Sequence, residues 1–81
     1  MRLRKYIVRE ILAYIAQRGV TYVNDIIRGT GLSPRTVVKY VNELEKEGLI
    51  KSERIGGVKL ITLTERGKDT LSEVFTQFSV P

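Results

Sequence analysis

The stretch "GLSPRTVVKYVNELEKEGLI", residues 31–50, carries the start, face and stop signals of one amphipathic helix. Ser33 at the N-cap can accept a backbone N–H that would otherwise be unpaired, and Pro34 at the first helical position has no N–H to leave unsatisfied. Gly48 supplies the left-handed residue that commonly follows a helix. The pattern therefore predicts a helix over residues 34–47. Its inward face is marked by apolar residues at helical spacing: Val37, Val41 and Leu44.

The outer face of this helix carries side chains that a core does not require. Helical geometry places them in one stripe: Arg35, Val38, Lys39, Asn42 and Lys46. An ordinary solvated surface is one interpretation, because Lys39 and Glu43 have the i, i+4 spacing of an ion pair and Glu45 and Glu47 follow. A surface that binds a partner is the other interpretation, and the neighbouring elements decide between them.

Residues before this helix predict two further helices. Apolar residues at helical period favour a first helix over residues 3–18. The β-branched and aromatic run at residues 20–23 favours a brief extended segment. A short second helix follows, with Asn24 and Asp25 in its first turn and an end at the glycines of residues 29–31.

Residues after it predict a hairpin and a last helix. Two runs rich in β-branched residues flank Gly56 and Gly57, which is a hairpin signal. A two-residue turn there would place Arg54 directly opposite Lys59. Thr64 is a suitable N-cap for the final helix.

Together these elements predict a mainly α fold with a small β-hairpin, in the order helix, short extended segment, helix, helix, hairpin, helix. Two short helices joined by about three residues containing glycine form a helix-turn-helix, and the hairpin after them extends it to a winged helix-turn-helix. We expect a single domain over residues 1–81. Its parts are a helix-turn-helix over about 22–47, a wing over about 49–63 and a C-terminal helix over about 64–78.

Composition narrows the possible functions. Among 81 residues there is no cysteine and no histidine, so thiolate metal sites, disulfides and the commonest general base are excluded. We expect no cofactor, no metal and no enzymatic activity, because no catalytic constellation is visible. No run approaches the roughly 18 apolar residues of a membrane span, which predicts a cytoplasmic protein. The net charge of +5 favours a polyanionic partner.

The stretch over residues 23–67 resembles the winged helix-turn-helix domain of prokaryotic transcriptional regulators of the multiple-antibiotic-resistance and arsenic-repressor types. The matching signature includes Gly31-Leu32-Ser33, Gly48-Leu49-Ile50, and Leu63-Thr64 before Gly67. The resemblance implies a bacterial or archaeal regulator of double-stranded DNA, usually a homodimer. This sequence departs from the metal-sensing branch of those regulators, because that branch uses cysteine and histidine ligands and this sequence has neither. The short chain also argues against a pocket for a small-molecule effector.

Several residues are candidates for DNA contact. Arginine and lysine can reach guanine acceptors, asparagine can bind adenine and a valine methyl can pack on thymine, so we expect base contacts from Arg35, Val38, Lys39 and Asn42. Phosphate contacts are expected from Ser33, Thr36, Lys46 and Arg28. Like charges facing each other on a hairpin are destabilising unless a phosphate lies between them. We therefore expect wing contacts at Arg54, Gly56, Gly57 and Lys59; the alternative is that both side chains extend into water.

The first and last helices carry more apolar surface than one small core needs, which predicts a homodimer. The interface candidates are Tyr6, Tyr14, Phe75 and Phe78; the alternative is that they only complete the protomer's core. Two other functions remain open: a winged helix that contacts a protein of the transcription machinery, and one that binds RNA. A basic surface counts against the protein-contact alternative.

Overall fold

The computed structural model describes residues 3–78, with side chains described for residues 3–73. It contains four helices and one antiparallel hairpin: α1 Lys5–Arg18, α2 Val23–Thr30, α3 Pro34–Lys46, β1 Ile50–Ile55, β2 Val58–Leu63 and α4 Glu65–Phe78. This order confirms the predicted winged helix-turn-helix, and we call the hairpin of residues 50–63 the wing. None of the helices in the described residues is long and apolar enough to cross a membrane.

The core forms where the inner face of α3 meets the other elements. α1 packs on α2, α4 and β2, whereas α3 packs on α2 and β1. Each fully buried aliphatic side chain contributes about 1.5–3 kcal/mol relative to exposure. The core side chains, each less than 10% exposed, are Ile11, Leu12, Ile15, Ile26, Val37, Tyr40, Val41, Leu44, Ile50, Ile61 and Leu71. Tyr40 extends the predicted inward face of α3, and its hydroxyl accepts the backbone N–H of Arg4 at 2.9 Å.

Both ends of α3 are closed as the sequence predicts. The Ser33 hydroxyl accepts the Thr36 backbone N–H at 3.2 Å. At the other end, the backbone N–H of Leu49 donates to the Leu44 carbonyl oxygen at 3.0 Å, across a left-handed Gly48 with φ of 78°. This pair of caps fixes the length of the helix, because it satisfies backbone groups that would otherwise be unpaired at each end.

The hairpin has the predicted register. Ile50 pairs with Leu63, Arg54 with Lys59 and Ile55 with Val58 across the two-glycine turn. The expected extended segment at residues 20–23 is shorter than predicted. It is reduced to one bridge, in which the Thr21 N–H and carbonyl bond the Ile61 carbonyl and N–H at 3.0 and 2.8 Å. Val23 already belongs to α2, so the segment ends there.

Asp25 has a different role from the one that its position suggests. The sequence places it in the first turn of α2, but its carboxylate is buried and joins three segments. It accepts hydrogen bonds from the Thr21 hydroxyl at 2.6 Å, the Tyr14 hydroxyl at 3.0 Å and Arg18 Nε at 3.1 Å. The Thr21 hydrogen bond, supported by Tyr14 and Arg18, lowers the pKa of Asp25 from its ordinary value of 3.8 against the opposing effect of burial.

Tyr14, predicted from the sequence as an interface residue, is partly buried and packs its ring against α2 of its own protomer. Gly29, predicted to end α2, lies within that helix beneath the ring: a Cβ at Gly29 would lie 2.1 Å from a Tyr14 ring carbon. Burial, followed by the hydrogen bond to Asp25, raises the pKa of Tyr14 above 10.0. Tyr14 therefore fixes α1 on α2.

The Asp25 contacts predict a specific acid sensitivity. Because the folded state lowers the pKa of this carboxyl, its stabilising effect is complete above the unfolded-state pKa and is lost as the pH falls through the folded-state pKa. We expect Asp25→Asn to unfold at a lower temperature than the wild type at pH 7. Between pH 5 and pH 3 its unfolding temperature should then fall by less than that of the wild type. Thermal unfolding followed by circular dichroism measures both. Asp69→Asn, at an exposed site on α4, is the control; equal pH profiles for Asp25→Asn and wild type would contradict the role of Asp25.

Candidate nucleic-acid interface

The outer face of α3 presents a continuous set of exposed side chains beside the wing. Val38 is 45% exposed, which is high for a large apolar side chain in a helix that otherwise buries its valines. We define the reading face by the exposed residues on this side of α3: Arg35, Val38, Lys39, Asn42 and Lys46. The structure thus brings together the four predicted base contacts, with Lys46 at the C-terminal end of the same stripe.

The ion pairs along α3 differ from those expected. Glu43 pairs with Lys46, at 3.7 Å between Nζ and Oε1, and not with Lys39. Within residues 3–73, neither Arg35 nor Lys39 forms an ion pair. A shallow groove of about 470 Å³ runs beside the C-terminal half of this face, lined by Lys39, Asn42, Glu43, Glu45 and Lys46. The unneutralised positive charge of α3 therefore lies in its N-terminal half.

The start of α3 combines a helix cap with two hydroxyl groups. Ser33 Oγ donates to Thr36 Oγ1 at 2.9 Å, in addition to accepting the Thr36 backbone N–H. Ser33 is exposed, and the positive end of the helix dipole lies beneath it. The two predicted phosphate contacts thus sit together where an anion is favoured.

Arg28 lies on the outer side of α2 with a partner that the sequence did not indicate. Its Nη2 donates to the Tyr22 hydroxyl at 3.0 Å, and its guanidinium carbon lies 5.9 Å from the centre of the Tyr22 ring. Tyr22 was missed because it falls in the run interpreted as an extended segment. The aromatic ring orients Arg28 without neutralising its charge, so Arg28 can still bind a phosphate.

The wing ends in a turn that exposes one cation and two apolar side chains. Gly56 and Gly57 have φ of 58° and 81°, a conformation that residues with a Cβ rarely adopt. Ile55 and Val58 beside them are 55% and 46% exposed. Arg54 makes one long hydrogen bond, 3.4 Å from Nη1 to the Gly57 carbonyl oxygen, so its charge remains available.

Lys59 does not have the environment that the sequence predicts. It lies opposite Arg54 in the ladder, but its Nζ is 3.3 Å from Oε1 of Glu45, on α3. The expected repulsion between the two cations is therefore already reduced by a carboxylate of the protein itself. A phosphate is not needed to explain why Arg54 and Lys59 face each other.

Only part of the predicted dimer surface can be described. Tyr6 on α1 is 55% exposed, as an interface residue of a free protomer would be. Phe75 and Phe78 lie on α4, but their side chains fall outside the described residues.

Metal binding has no support in the part of the chain that the structure describes. Among the side chains described there, no group of three or more Asp, Glu, His or Cys could hold a metal ion.

Comparison with known proteins identifies the family. Residues 4–51, more than half of the chain, match the family described as winged helix-turn-helix DNA-binding. The chain belongs to this family. Its match begins at the start of α1 and ends in β1, so it includes the whole helix-turn-helix that carries the reading face.

Individual relatives of this winged-helix protein support the same fold. Its structure is similar to Sso10a-2, a DNA-binding protein from Sulfolobus solfataricus, with a TM-score of 0.85 and 22% identity over 95% of this chain and 79% of that one. Wild-type MarR from Escherichia coli gives a TM-score of 0.81 and 11% identity, over 86% and 54%. In sequence, the chain is 29% identical to a riboflavin kinase of Pyrococcus furiosus in an alignment of 76 positions, which covers 86% of this chain but only 36% of the kinase.

The two roles assigned to Ser33 can be separated by a pair of substitutions. Ser33→Ala removes the cap and should cost roughly 1 kcal/mol of stability. Ser33→Asp keeps a capping oxygen and should retain stability, but its negative charge should weaken binding of a DNA duplex. Urea unfolding and fluorescence anisotropy with a labelled duplex measure the two properties. If Ser33→Asp binds duplex as tightly as the wild type, no phosphate lies at this helix start.

Proposed function

We propose that this protein is a sequence-specific transcriptional regulator that places α3 in the major groove of double-stranded DNA and the wing on the adjacent backbone. The observation that carries the proposal is the division of α3 into two faces. Val37, Val41 and Leu44 are at most 1% exposed, whereas the reading face on the opposite side presents donors and one apolar group. An α-helix fits the major groove, where those groups can distinguish base pairs.

The roles of individual residues follow from their charge environment. Arg35, Val38, Lys39 and Asn42 are the proposed base contacts, because they occupy the first turns of α3, where recognition helices read bases. Ser33, Thr36 and Arg28 are proposed to bind phosphates, and Lys46 does so more weakly because Glu43 is close to it. Arg54 is the proposed backbone contact of the wing, beside the Gly56-Gly57 turn.

The proposal includes no catalytic activity, no cofactor and no membrane association. The similarity to riboflavin kinase spans little more than a third of that enzyme, and this chain has neither histidine nor cysteine. A cytoplasmic location, with the protein bound to DNA, agrees with this function.

Two substitutions distinguish base reading from backbone binding. We expect Arg35→Ala to lower the preference for selected over random sites, because a good bidentate base contact is worth about 1–3 kcal/mol of discrimination. We expect Arg54→Ala to weaken selected and random sites alike and to reduce the salt slope of log K by about 0.9. Selection from genomic fragments followed by titrations at several salt concentrations measures both. Lys68→Ala, which removes an exposed cation from α4, is the control.

The assignment of surfaces would be overturned if neither Arg35→Ala nor Arg54→Ala changed DNA binding. A wild-type protein that fails to bind duplex even at low salt would overturn the function itself. Tighter binding to single-stranded or double-stranded RNA than to DNA would favour the RNA alternative.

We further propose that the protein acts as a homodimer whose interface includes Tyr6 on α1. An exposed aromatic ring on an outer helix loses contact with water when two protomers associate. A two-fold dimer would also present two α3 helices about one DNA turn, or 34–36 Å, apart to a pseudo-palindromic site.

Sedimentation measures the oligomeric state directly. At micromolar concentration we expect a species of twice the 9.2 kDa protomer mass, and we expect Tyr6→Ser to shift it towards the protomer. Tyr22→Ser, which removes an exposed ring from the N-cap of α2 beside the wing tip, should leave the mass unchanged. A species of 9.2 kDa for the wild type would rule out the dimer under these conditions.

A further inference from the structure

Glu45 occupies the border between the reading face and the wing. It lies three residues after Asn42 and seven after Val38, so it continues their side of the helix by one turn. Its side chain is 37% exposed and points towards the hairpin, where it meets both strands. From the sequence alone, Glu45 is interpreted as a solvated glutamate.

The two oxygens of this carboxylate bind two different strands. Oε2 accepts a hydrogen bond from Ser52 Oγ of β1 at 2.7 Å, and Oε1 lies 3.3 Å from Lys59 Nζ of β2. The hydrogen bond from Ser52, and to a smaller extent the contact with Lys59, lowers the pKa of Glu45 from its ordinary value of 4.5. At neutral pH a full negative charge therefore links the helix to both strands of the wing.

We propose that Glu45 is a positioning residue that keeps the wing on α3 and retains Lys59, so that the wing contacts the DNA backbone through Arg54 and not through Lys59. This inference rests on the proposed function. The carboxylate takes the position beside Lys59 that a DNA phosphate would otherwise occupy.

Charge balance favours keeping the Glu45–Lys59 ion pair when DNA is bound. If Lys59 moved to a phosphate, Glu45 would be left as an uncompensated anion at the edge of a surface that faces a polyanion. The Ser52 hydrogen bond would not neutralise it. Arg54, which faces Lys59 across the ladder, is exposed and has no ion pair within residues 3–73. A phosphate therefore gains more from Arg54, because no existing ion pair has to be broken.

The salt dependence of duplex binding tests the proposal, because each phosphate contact adds about 0.9 to the slope of log K against log salt. With a random-sequence duplex we expect Lys59→Gln to have the wild-type slope. Glu45→Gln keeps an acceptor for Ser52 but releases Lys59, so its slope should be steeper by about 0.9. That corresponds to about an eightfold gain in affinity for each tenfold decrease in salt concentration, relative to wild type. The double variant should return to the wild-type slope.

Glu47→Gln is the matched control, because it removes the same charge from the exposed C-cap of α3, and the Glu47 side chain forms no ion pair with the wing within residues 3–73. It should leave the slope unchanged. A lower slope for Lys59→Gln alone would overturn the proposal, since Lys59 would then bind phosphate in the wild type. A double variant as steep as Glu45→Gln would also overturn it, because the gain would come from the lost carboxylate alone.

A second measurement needs no DNA. Nuclear-spin relaxation of backbone amides should show greater motion of residues 54–59 in Glu45→Gln and Ser52→Ala than in wild type or Glu47→Gln, with unchanged thermal unfolding of the helices. Unchanged wing motion would contradict the positioning role. If wild-type protein failed to bind duplex, the proposed function would fall, and the relaxation data alone would decide whether Glu45 holds the wing.

Discussion

The rotation of α3 about its own axis determines the other surfaces of the molecule. Val37, Val41 and Leu44 are buried completely or to within 1%, and each contributes about 1.5–3 kcal/mol. Turning the helix to expose them would cost an amount comparable with the net stability of a small domain, about 5–15 kcal/mol. With that face fixed, Arg35 and Asn42 must point outwards, and residue 45 must face the wing.

Features that depend on neighbours in sequence were predictable. The cap at Ser33, the left-handed Gly48 and the register across Gly56-Gly57 each involve residues a few positions apart, so their residue types reveal them. The division of α3 into a buried and an exposed face follows from periodicity alone. For this reason the helix order, the hairpin register and the exposure of the reading face could be read from the chain.

Features that depend on contacts between elements could not be predicted in the same way. Asp25 has the sequence position of a first-turn acid, and its role appears only when the packing of α1 on α2 brings Tyr14 and Arg18 to it. Lys59 was assigned to a phosphate because only its partner across the ladder was known; Glu45 lies 14 positions earlier on another element. In both cases a carboxylate joins segments whose approach no local pattern encodes.

The positions of Glu43 and Glu45, more than the net charge of +5, determine which parts of the surface carry unpaired positive charge. Lys46 and Lys59 are paired with Glu43 and Glu45, which both lie in the C-terminal half of α3. Arg35, Lys39 and Arg54 have no such partner within residues 3–73, and they lie at the start of α3 and near the wing tip. Because paired cations attract a polyanion less than unpaired ones, we expect Arg35, Lys39 and Arg54 to attract it more strongly than Lys46 and Lys59. The glutamates of α3 thus pair with two of the cations, and the positive charge of α3 that remains unpaired lies in its N-terminal half.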